Sequence, residues 1–387
     1  MNDPLGALAP RLAALRARDR YRRPRLRDGA PGAEVVVDGR RLLAFASNDY
    51  LGLAAHPEVR AAFVRAAEEA GVGSGAAHLL GGHSRHHQRL EAALADFVGQ
   101  PRALLFSTGY MANLGVVSAL AGRGDTVLED RLDHASLIDG ARLSGARLRR
   151  YRHADVEHLE RLLATAAGTP LVATDGVFSM DGDLAPLDRI LPLARRHSAW
   201  LLVDEAHALG VVGPEGRGSL AHFGLDADGV LVMGTLGKAL GTFGAFVAGP
   251  ETAVEWLVQA ARSYIFTTAL PPAVAAAAHA ALDIARRDEE RRERLRELVA
   301  RFRRGAAQLG LPLMPSETPI QPLLVGDDAR AVALSRALEA AGIWVPPVRP
   351  PAVPEGQARL RITFNAHHRP AHVDRLLAAL EAAWPCA

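Results

Sequence analysis

Short apolar runs alternate with amphipathic helical patterns through the middle of the chain. The runs at 102–106, 125–130, 170–178, 199–207, 229–236 and 244–249 are typical of buried strands. Between several of them lie stretches with helical periodicity, as at 155–167 and 184–197. This alternation predicts an α/β fold with a largely parallel sheet that is covered by helices on both faces. In such sheets ligands bind at the carboxyl ends of the strands.

The pattern changes at about residue 272. A long charged helical pattern at 283–310 is followed by a mixed region with prolines at 346, 347, 350, 351 and 354. We therefore predict three parts: an N-terminal helix and arm (1–45), a large domain (46–285) and a smaller α+β C-terminal domain (286–387).

Composition and charge narrow the class of protein. A hydrophobic fraction of 49% over 387 residues indicates a globular protein with a sizeable core. The net charge is only +2, and Asp19 interrupts the arginines of residues 16–27, so we expect a solvated helix face there and no nucleic-acid partner. The single cysteine, Cys386, permits no intrachain disulfide. Because the sequence has neither a secretory signal nor a run that spans a membrane comfortably, we expect a cytoplasmic protein.

Lys238 is the only lysine in a chain with 45 lysines and arginines in total. Arginine keeps its proton at physiological pH, whereas a suitable pocket can deprotonate lysine, and the free amine can then form a Schiff base. The alternative is a solvated surface charge that escaped a drift towards arginine. Composition alone leaves both interpretations open.

Two features near predicted strand ends are suited to a phosphate. Gly109 follows a strand and begins an apolar-periodic helix, whose first amides and positive dipole end attract anions. Thr235 precedes Lys238 by three residues at the end of another strand. An ordinary strand-to-helix connection would explain Gly109 equally well.

Three further side chains are suited to a planar, nitrogen-containing ring. Asp204 closes an apolar strand and could pair with a protonated ring nitrogen, while His207 lies three residues beyond it. His134 could stack on the ring. The alternatives are a helix N-cap for Asp204, a core histidine for His207, a helix-start or surface histidine for His134, and a metal site that lacks a third ligand nearby.

Together these residues predict a pyridoxal phosphate (PLP) site. That cofactor needs a lysine for its aldehyde, a carboxylate for its pyridinium nitrogen and a helix start for its phosphate. A metal is not expected.

Seven motifs, taken in their order along the chain, resemble those of a known enzyme family. They are SNDYLGL (47–53), GSG (73–75), STGY (107–110), DRLDHASL (131–138), TDGVFSMDGD (174–183), VDEAH (203–207) and TLGKALG (235–241). In this the chain resembles the α-oxoamine synthases, fold-type-I PLP transferases that condense an amino acid with an acyl thioester and release carbon dioxide. The resemblance implies an acyltransferase that forms a homodimer with active sites at the interface.

Segments 264–272, 320–327 and 348–363 are most similar to the family members that act in biotin biosynthesis. The resemblance implies L-alanine and a pimeloyl thioester as substrates, with either coenzyme A or an acyl carrier protein as the acyl donor.

The resemblance also implies roles around the ring. Lys238 would form the Schiff base and act as the acid–base group at the alanine α-carbon. Asp204 would pair with the pyridinium nitrogen, and His134 would stack on the ring and contact the substrate. Ser179 and His207 would contact the ring oxygen.

The phosphate contacts implied are the Gly109 and Tyr110 amides together with Thr235. Thr267 or Thr268 would reach the neighbouring subunit's site.

Substrate contacts are implied at four positions. Arg361 would hold the substrate carboxylate, because a guanidinium can bind it in a bidentate manner. Arg22 would recognise the acyl substrate, and the turn from Arg349 to Ala352 would border it. Ala77 and Ala352 stand where the family often has serine and threonine, so the acyl-chain contacts differ in detail.

Other interpretations are kept open. Glycine-using members of the family make 5-aminolevulinate or 2-amino-3-ketobutyrate, and serine palmitoyltransferase uses serine. A non-catalytic binding protein or scaffold could retain the fold, although it has no need of the lysine, the carboxylate and both histidines together. An arginine-led nucleic-acid binder is the most distant alternative.

Borohydride reduction of the PLP-loaded protein, followed by peptide mapping, is expected to place the label on Lys238, since this is the only side-chain amine. Lys238→Arg is expected to abolish catalysis while preserving the charge. Label at any other position would contradict the assignment.

Overall fold

The computed structural model describes residues 5–384, so Cys386 lies outside the described residues. The helices are α1 (Leu8–Ala17), α2 (Pro57–Ala70), α3 (Arg85–Phe97), α4 (Gly109–Leu120), α5 (Ala135–Ser144), α6 (Val156–Leu163), α7 (Leu187–Arg196), α8 (Ser219–His222), α9 (Glu251–Ala260), α10 (Arg262–Ile265), α11 (Pro272–Arg287), α12 (Glu289–Gln308), α13 (Asp328–Ala340) and α14 (Pro370–Ala383). Within residues 5–384 no helix has the length and apolar character needed to cross a membrane.

The strands fall into three sheets. They are β1 (Arg27–Asp28), β2 (Glu34–Val37), β3 (Arg40–Ala44), β4 (Arg102–Phe106), β5 (Thr126–Asp130), β6 (Arg147–Tyr151), β7 (Leu171–Asp175), β8 (Trp200–Asp204), β9 (Val230–Thr235), β10 (Ala245–Gly249), β11 (Ile320–Gly326), β12 (Ile343–Trp344), β13 (Pro347–Val348) and β14 (Ala358–Thr363).

Chain contacts divide the protein into two units. The large unit comprises residues 49–179 and 183–292, and of the described residues the small unit comprises 5–48, 180–182 and 293–384. The domain limits proposed from the sequence, at 45/46 and 285/286, remain a prediction about independently folding domains.

The large unit contains the predicted α/β sheet. Its seven strands have the order β4-β10-β9-β8-β7-β5-β6, and all neighbours are parallel except the pairs that β10 makes with β4 and β9. Strands β5, β7 and β10 are buried at every position, because apolar clusters cover both faces of the sheet. The predicted mostly parallel sheet with helices on both faces is confirmed.

The small unit contains two smaller sheets. One has the order β1-β2-β3-β12 and the other, which is antiparallel, has the order β11-β14-β13. Arg359 of β14 is fully buried, and its guanidinium donates to Asp181 at 2.9 Å. A buried arginine needs such a partner, so this ion pair ties residues 180–182 to the small unit.

Two local predictions differ from the structure. The charged pattern at 283–310 forms two helices, since α11 ends before Asp288 and the Asp288 carboxylate accepts from the Arg291 amide at 3.3 Å in the first turn of α12. Strand β6 was not predicted, because its sequence RLRRY carries the charges typical of a sheet edge.

The lysine motif forms a tight turn after β9. The Leu236 and Thr242 amides donate to the carbonyls of Gly244 and Leu236, and the Gly241 amide donates to the Lys238 carbonyl. Gly241 has a φ of +63°, and a Cβ there would lie 2.2 Å from the Ala54 nitrogen. Only glycine fits this position, so the turn that carries the lysine packs directly against the backbone of residues 53–54.

Gly241→Ala is therefore expected to lower the unfolding temperature by several degrees, because backbone strain of about 1–3 kcal/mol adds to the steric clash. Gly237→Ala is the matched control in the same turn, since a Cβ there meets only the Thr242 carbonyl at 3.4 Å. Thermal unfolding of both variants measures the difference. Equal midpoints for the two variants would show that the turn is not constrained as described.

Candidate active site

Five strand ends of the large unit carry the residues predicted to bind the cofactor. Gly109 and Tyr110 follow β4, His134 follows β5, Ser179 follows β7, Asp204 ends β8 with His207 three residues later, and Thr235 ends β9 before Lys238. The carboxyl ends of the four parallel strands β5, β7, β8 and β9 meet at one edge of the sheet, as the prediction required.

Asp204 is buried with 5% of its surface exposed. Its Oδ1 accepts from the Ala206 amide at 2.9 Å, and its Oδ2 accepts from Asn113 Nδ2 at 2.8 Å. No helix begins at Asp204, since residues 206–211 form turns. The N-cap alternative is therefore wrong. Two donors hold the carboxylate in place, which suits a group that binds a cation.

Asp175 is the strand neighbour of Asp204 and was given no role from the sequence. The two residues are paired in register at the ends of β7 and β8. Asp175 is buried, and its Oδ1 has no hydrogen-bond partner among the described residues. Desolvation raises the pKa of Asp175 well above its ordinary value, and the charge of Asp204 raises it further. Burial beside Asp204 therefore favours the neutral form of the Asp175 carboxyl, whereas both oxygens of Asp204 accept hydrogen bonds.

His134 is both a helix start and an accessible ring. It caps α5, and its Nδ1 lies 3.3 Å from the Ser136 amide and 2.7 Å from Ser136 Oγ. Its side chain is otherwise exposed. Desolvation by the surrounding protein lowers the pKa of His134, Lys238 lowers it further and Asp204 opposes this. The ring is consequently neutral at pH 7 and open to a ligand.

His207 is buried, and its Nδ1 lies 2.6 Å from the hydroxyl of Tyr50, which is fully buried. Tyr50 belongs to the SNDYLGL motif but was given no role from the sequence; its position beside the VDEAH motif is set only by folding. Ser179 and Lys238 are half-buried. The Tyr50 contact at Nδ1 fixes the orientation of the histidine ring.

The start of α4, which was predicted to bind the phosphate, has the features of an anion site. Helix α4 begins at Gly109, and Thr108 Oγ1 caps the Met111 amide at 3.2 Å. The amides of Gly109 and Tyr110 precede the first intrahelical bond, which the Ala112 amide makes to the Thr108 carbonyl. A Cβ on Gly109 would lie 2.7 Å from the Thr235 side chain, so the two predicted contacts are adjacent.

The Thr235 hydroxyl is buried and has no hydrogen-bond partner among the described residues. A buried hydroxyl without a partner costs free energy unless a ligand satisfies it. Two helix-start amides beside such a hydroxyl fit the phosphate of PLP. Within residues 5–384 no group of histidine, cysteine and carboxylate side chains is arranged to hold a metal ion.

The predicted substrate residues belong to the small unit. A cavity of about 210 Å³ is lined by Arg22, Arg349 and Ala352 together with Arg20 and Met180. The pKa of Arg349 is lowered by desolvation and by the charge of Arg22. Arg22, Arg349 and Ala352 therefore line one cavity, and their role towards an acyl substrate remains a prediction.

Arg361 lies on β14 and is largely buried. Its guanidinium donates to Asn48 Oδ1 at 3.1 Å and to Thr363 Oγ1 at 3.2 Å. Thr267 donates to the Ser263 carbonyl at 2.6 Å. The roles of Arg361 towards the substrate and of Thr267 or Thr268 towards a second subunit remain predictions.

Comparisons with known proteins agree on one family. The model of the family "Aminotransferase class I and II" matches residues 40–380. The chain is 62% identical to an 8-amino-7-oxononanoate synthase from Nitrosococcus oceani over 93% of this chain and 96% of that relative. It is 60% identical to an 8-amino-7-oxononanoate synthase from Methylococcus capsulatus over 99% of this chain and 98% of the relative.

Among solved structures, a serine palmitoyltransferase from S. paucimobilis with a bound PLP–myriocin aldimine superimposes with a TM-score of 0.93. It is 35% identical to this chain and covers all of it, with 99% of its own length matched. The backbone is therefore shared with enzymes of different substrate, whereas the side chains are much more similar to the 8-amino-7-oxononanoate synthases.

The two neighbouring aspartates allow a paired test. Asp204→Asn is expected to reduce kcat/KM at least about 100-fold, because the pyridinium partner loses its charge. Asp175→Asn is expected to stay within about threefold of wild type at pH 7, since burial and the charge of Asp204 raise the pKa of that carboxyl and favour its neutral form. Steady-state kinetics of both PLP-loaded variants measure the contrast, and equal losses would contradict the assignment.

Proposed function

The chain belongs to the aminotransferase class I and II family and, within it, to the α-oxoamine synthases, and on this premise we propose that it condenses L-alanine with a pimeloyl thioester. The products are 8-amino-7-oxononanoate, carbon dioxide and the free thiol, as a step of biotin biosynthesis. The fold is that of fold-type-I PLP enzymes. One observation carries the proposal: Asp204 is buried between two donors, and Lys238 follows the end of the neighbouring strand. The chain that holds this pair is similar over its full length to 8-amino-7-oxononanoate synthases.

The residues of the large unit fit PLP. Lys238 would anchor it covalently, Asp204 would hold the proton on the ring nitrogen, and the Gly109 and Tyr110 amides with Thr235 would bind the phosphate. The bound cofactor supplies an electron sink for the negative charge that develops at the α-carbon of the amino acid.

The remaining steps are assigned to side chains of this protein. The Lys238 amine takes the proton from the alanine α-carbon and returns a proton to that carbon after carbon dioxide has left. His134 covers one face of the ring and excludes water. His207, oriented by Tyr50, and Ser179 contact the ring oxygen.

Arg22 and Arg349 would recognise the acyl donor at the cavity of the small unit. Arg20, which lines the same cavity, is already committed to Asp328 at 2.7 Å and to Glu355 at 2.8 Å. Arg349 donates through one nitrogen to the Asp19 carbonyl, so a carboxylate entering the cavity would be held by Arg22 and by the remaining N–H groups of Arg349. Coenzyme A and an acyl carrier protein are both possible carriers of the acyl group.

Further parts of the proposal follow from family membership. We propose that Arg361 holds the carboxylate of the amino acid, that the enzyme is a homodimer in which Thr267 or Thr268 reaches the second site, and that it works in the cytoplasm.

A second candidate function is favoured by one observation, the high structural similarity to serine palmitoyltransferase. That activity would use serine in place of alanine and a long-chain acyl thioester. The backbone is compatible with both activities, so the choice depends on side chains and is made by assay.

An activity matrix of alanine, glycine and serine against pimeloyl and palmitoyl thioesters tests the proposal. Alanine with a pimeloyl thioester is expected to exceed every other pair in kcat/KM at least about tenfold, with 8-amino-7-oxononanoate identified by mass. Preference for serine and the long acyl chain would favour the second candidate. An inactive protein that still turns yellow with PLP would point to a binding protein.

A further inference from the structure

Four side chains of the large unit form one continuous hydrogen-bonded series from Asp204 to His134. Asn113 Nδ2 lies 2.8 Å from Asp204 Oδ2 and 2.8 Å from Ser136 Oγ. Ser136 Oγ lies 2.7 Å from His134 Nδ1. Asn113 and Ser136 are fully buried. The two residues thus connect the side chain that would bind the ring nitrogen to the side chain that would cover the ring.

The proton positions at Asn113 follow from Asp204. An amide nitrogen only donates and a carboxylate only accepts. With the amide rotated by half a turn, its oxygen would lie against the Asp204 oxygen with no proton between two acceptors. The observed orientation leaves Asn113 Oδ1 buried without a partner among the described residues. The contact with Asp204 Oδ2 therefore fixes the amide, whose second N–H goes to Ser136 Oγ.

The proton positions at Ser136 follow from Asn113. Because Ser136 Oγ already accepts from Asn113, its own hydrogen is available for His134 Nδ1. The Ser136 amide also points at Nδ1, at 3.3 Å. Two donors converge on one nitrogen, which must offer its lone pair. A neutral histidine has a single N–H, so in His134 that hydrogen lies on Nε2.

We propose that Asn113 and Ser136 hold His134 in the neutral Nε2–H tautomer, so that it presents a hydrogen-bond donor to a carbonyl or carboxylate oxygen of the substrates. The proposal rests on the proposed function, which brings substrates to this ring. Asn113 and Ser136 are positioning residues, since they act through His134 and Asp204.

This arrangement separates the roles of His134 and Lys238. Protonation of His134 would require a hydrogen on Nδ1, where two donors already point, so the ring is a poor proton acceptor. The lowered pKa of His134 agrees with this. His134 therefore stabilises developing negative charge on oxygen, and proton removal from carbon is left to Lys238.

The tautomer can be read directly by NMR. The PLP-loaded protein, labelled with ¹⁵N in its histidines, gives a long-range ¹H–¹⁵N correlation pattern that differs for the two tautomers. The chain contains 15 histidines, so His134→Gln is needed to assign the signal. We expect a single N–H at Nε2 at pH 7.5. An N–H at Nδ1, or protonation of both nitrogens, would overturn the proposal.

Two variants test whether the positioning residues enforce this tautomer. Ser136→Ala removes the hydroxyl donor, and Asn113→Leu removes both amide donors with little change of shape. In each we expect a mixture of tautomers and a fall of about tenfold in kcat/KM. Ser144→Ala is the matched control on the same helix, because the Ser144 hydroxyl donates to the Ala141 carbonyl and accepts from the Ala146 amide, away from His134. A pure Nε2–H form with unchanged kcat/KM in both folded variants would contradict the positioning role.

The same samples separate this inference from the proposed function. Absorbance reports bound PLP, and a product assay reports the condensation, while the tautomer is read in either case. If wild type binds PLP and forms product but His134 carries its hydrogen on Nδ1, only the inference fails. If wild type neither binds PLP nor forms product, the proposed function fails whatever the tautomer.

Discussion

A carboxylate removed from water needs hydrogen-bond donors around it. Asp204 is such a carboxylate, and the side chains at the carboxyl edge of the large sheet are arranged around it. The Ala206 amide and Asn113 each donate to one oxygen. Burial and Asp204 raise the pKa of Asp175, the strand neighbour, which disfavours a second negative charge beside Asp204. The two donors hold the Asp204 carboxylate in a position that suits a protonated pyridine nitrogen, and the lysine of the adjacent turn would supply the covalent anchor.

Much of this architecture could be predicted from the sequence because its signals are local. Apolar runs bounded by turns identified most of the large sheet, and the rule that ligands bind at carboxyl strand ends pointed to Asp204, His134 and Thr235. Lys238 was distinguished by chemistry, since no other side chain in the chain can form an imine. The order of the motifs then indicated the family, which the full-length similarity to 8-amino-7-oxononanoate synthases confirms.

The residues that hold these groups in place could not be found in this way. Asn113 lies inside an apolar helical pattern, and its two acceptors are 91 and 23 residues away in the sequence. Tyr50 meets His207 across 157 residues. Such contacts form only once the strands are ordered in the sheet, so no local sequence pattern predicts them. Break points within helical runs, as at Asp288, depend on single capping contacts for the same reason.

A crystal structure of the PLP-loaded enzyme tests the central claim most directly. The account predicts the pyridine nitrogen at hydrogen-bond distance, about 3 Å, from the Asp204 carboxylate, with continuous density from the cofactor to Lys238 and the phosphate at the start of α4. A cofactor whose ring nitrogen faces any other group, or whose density ends short of that lysine, would contradict it.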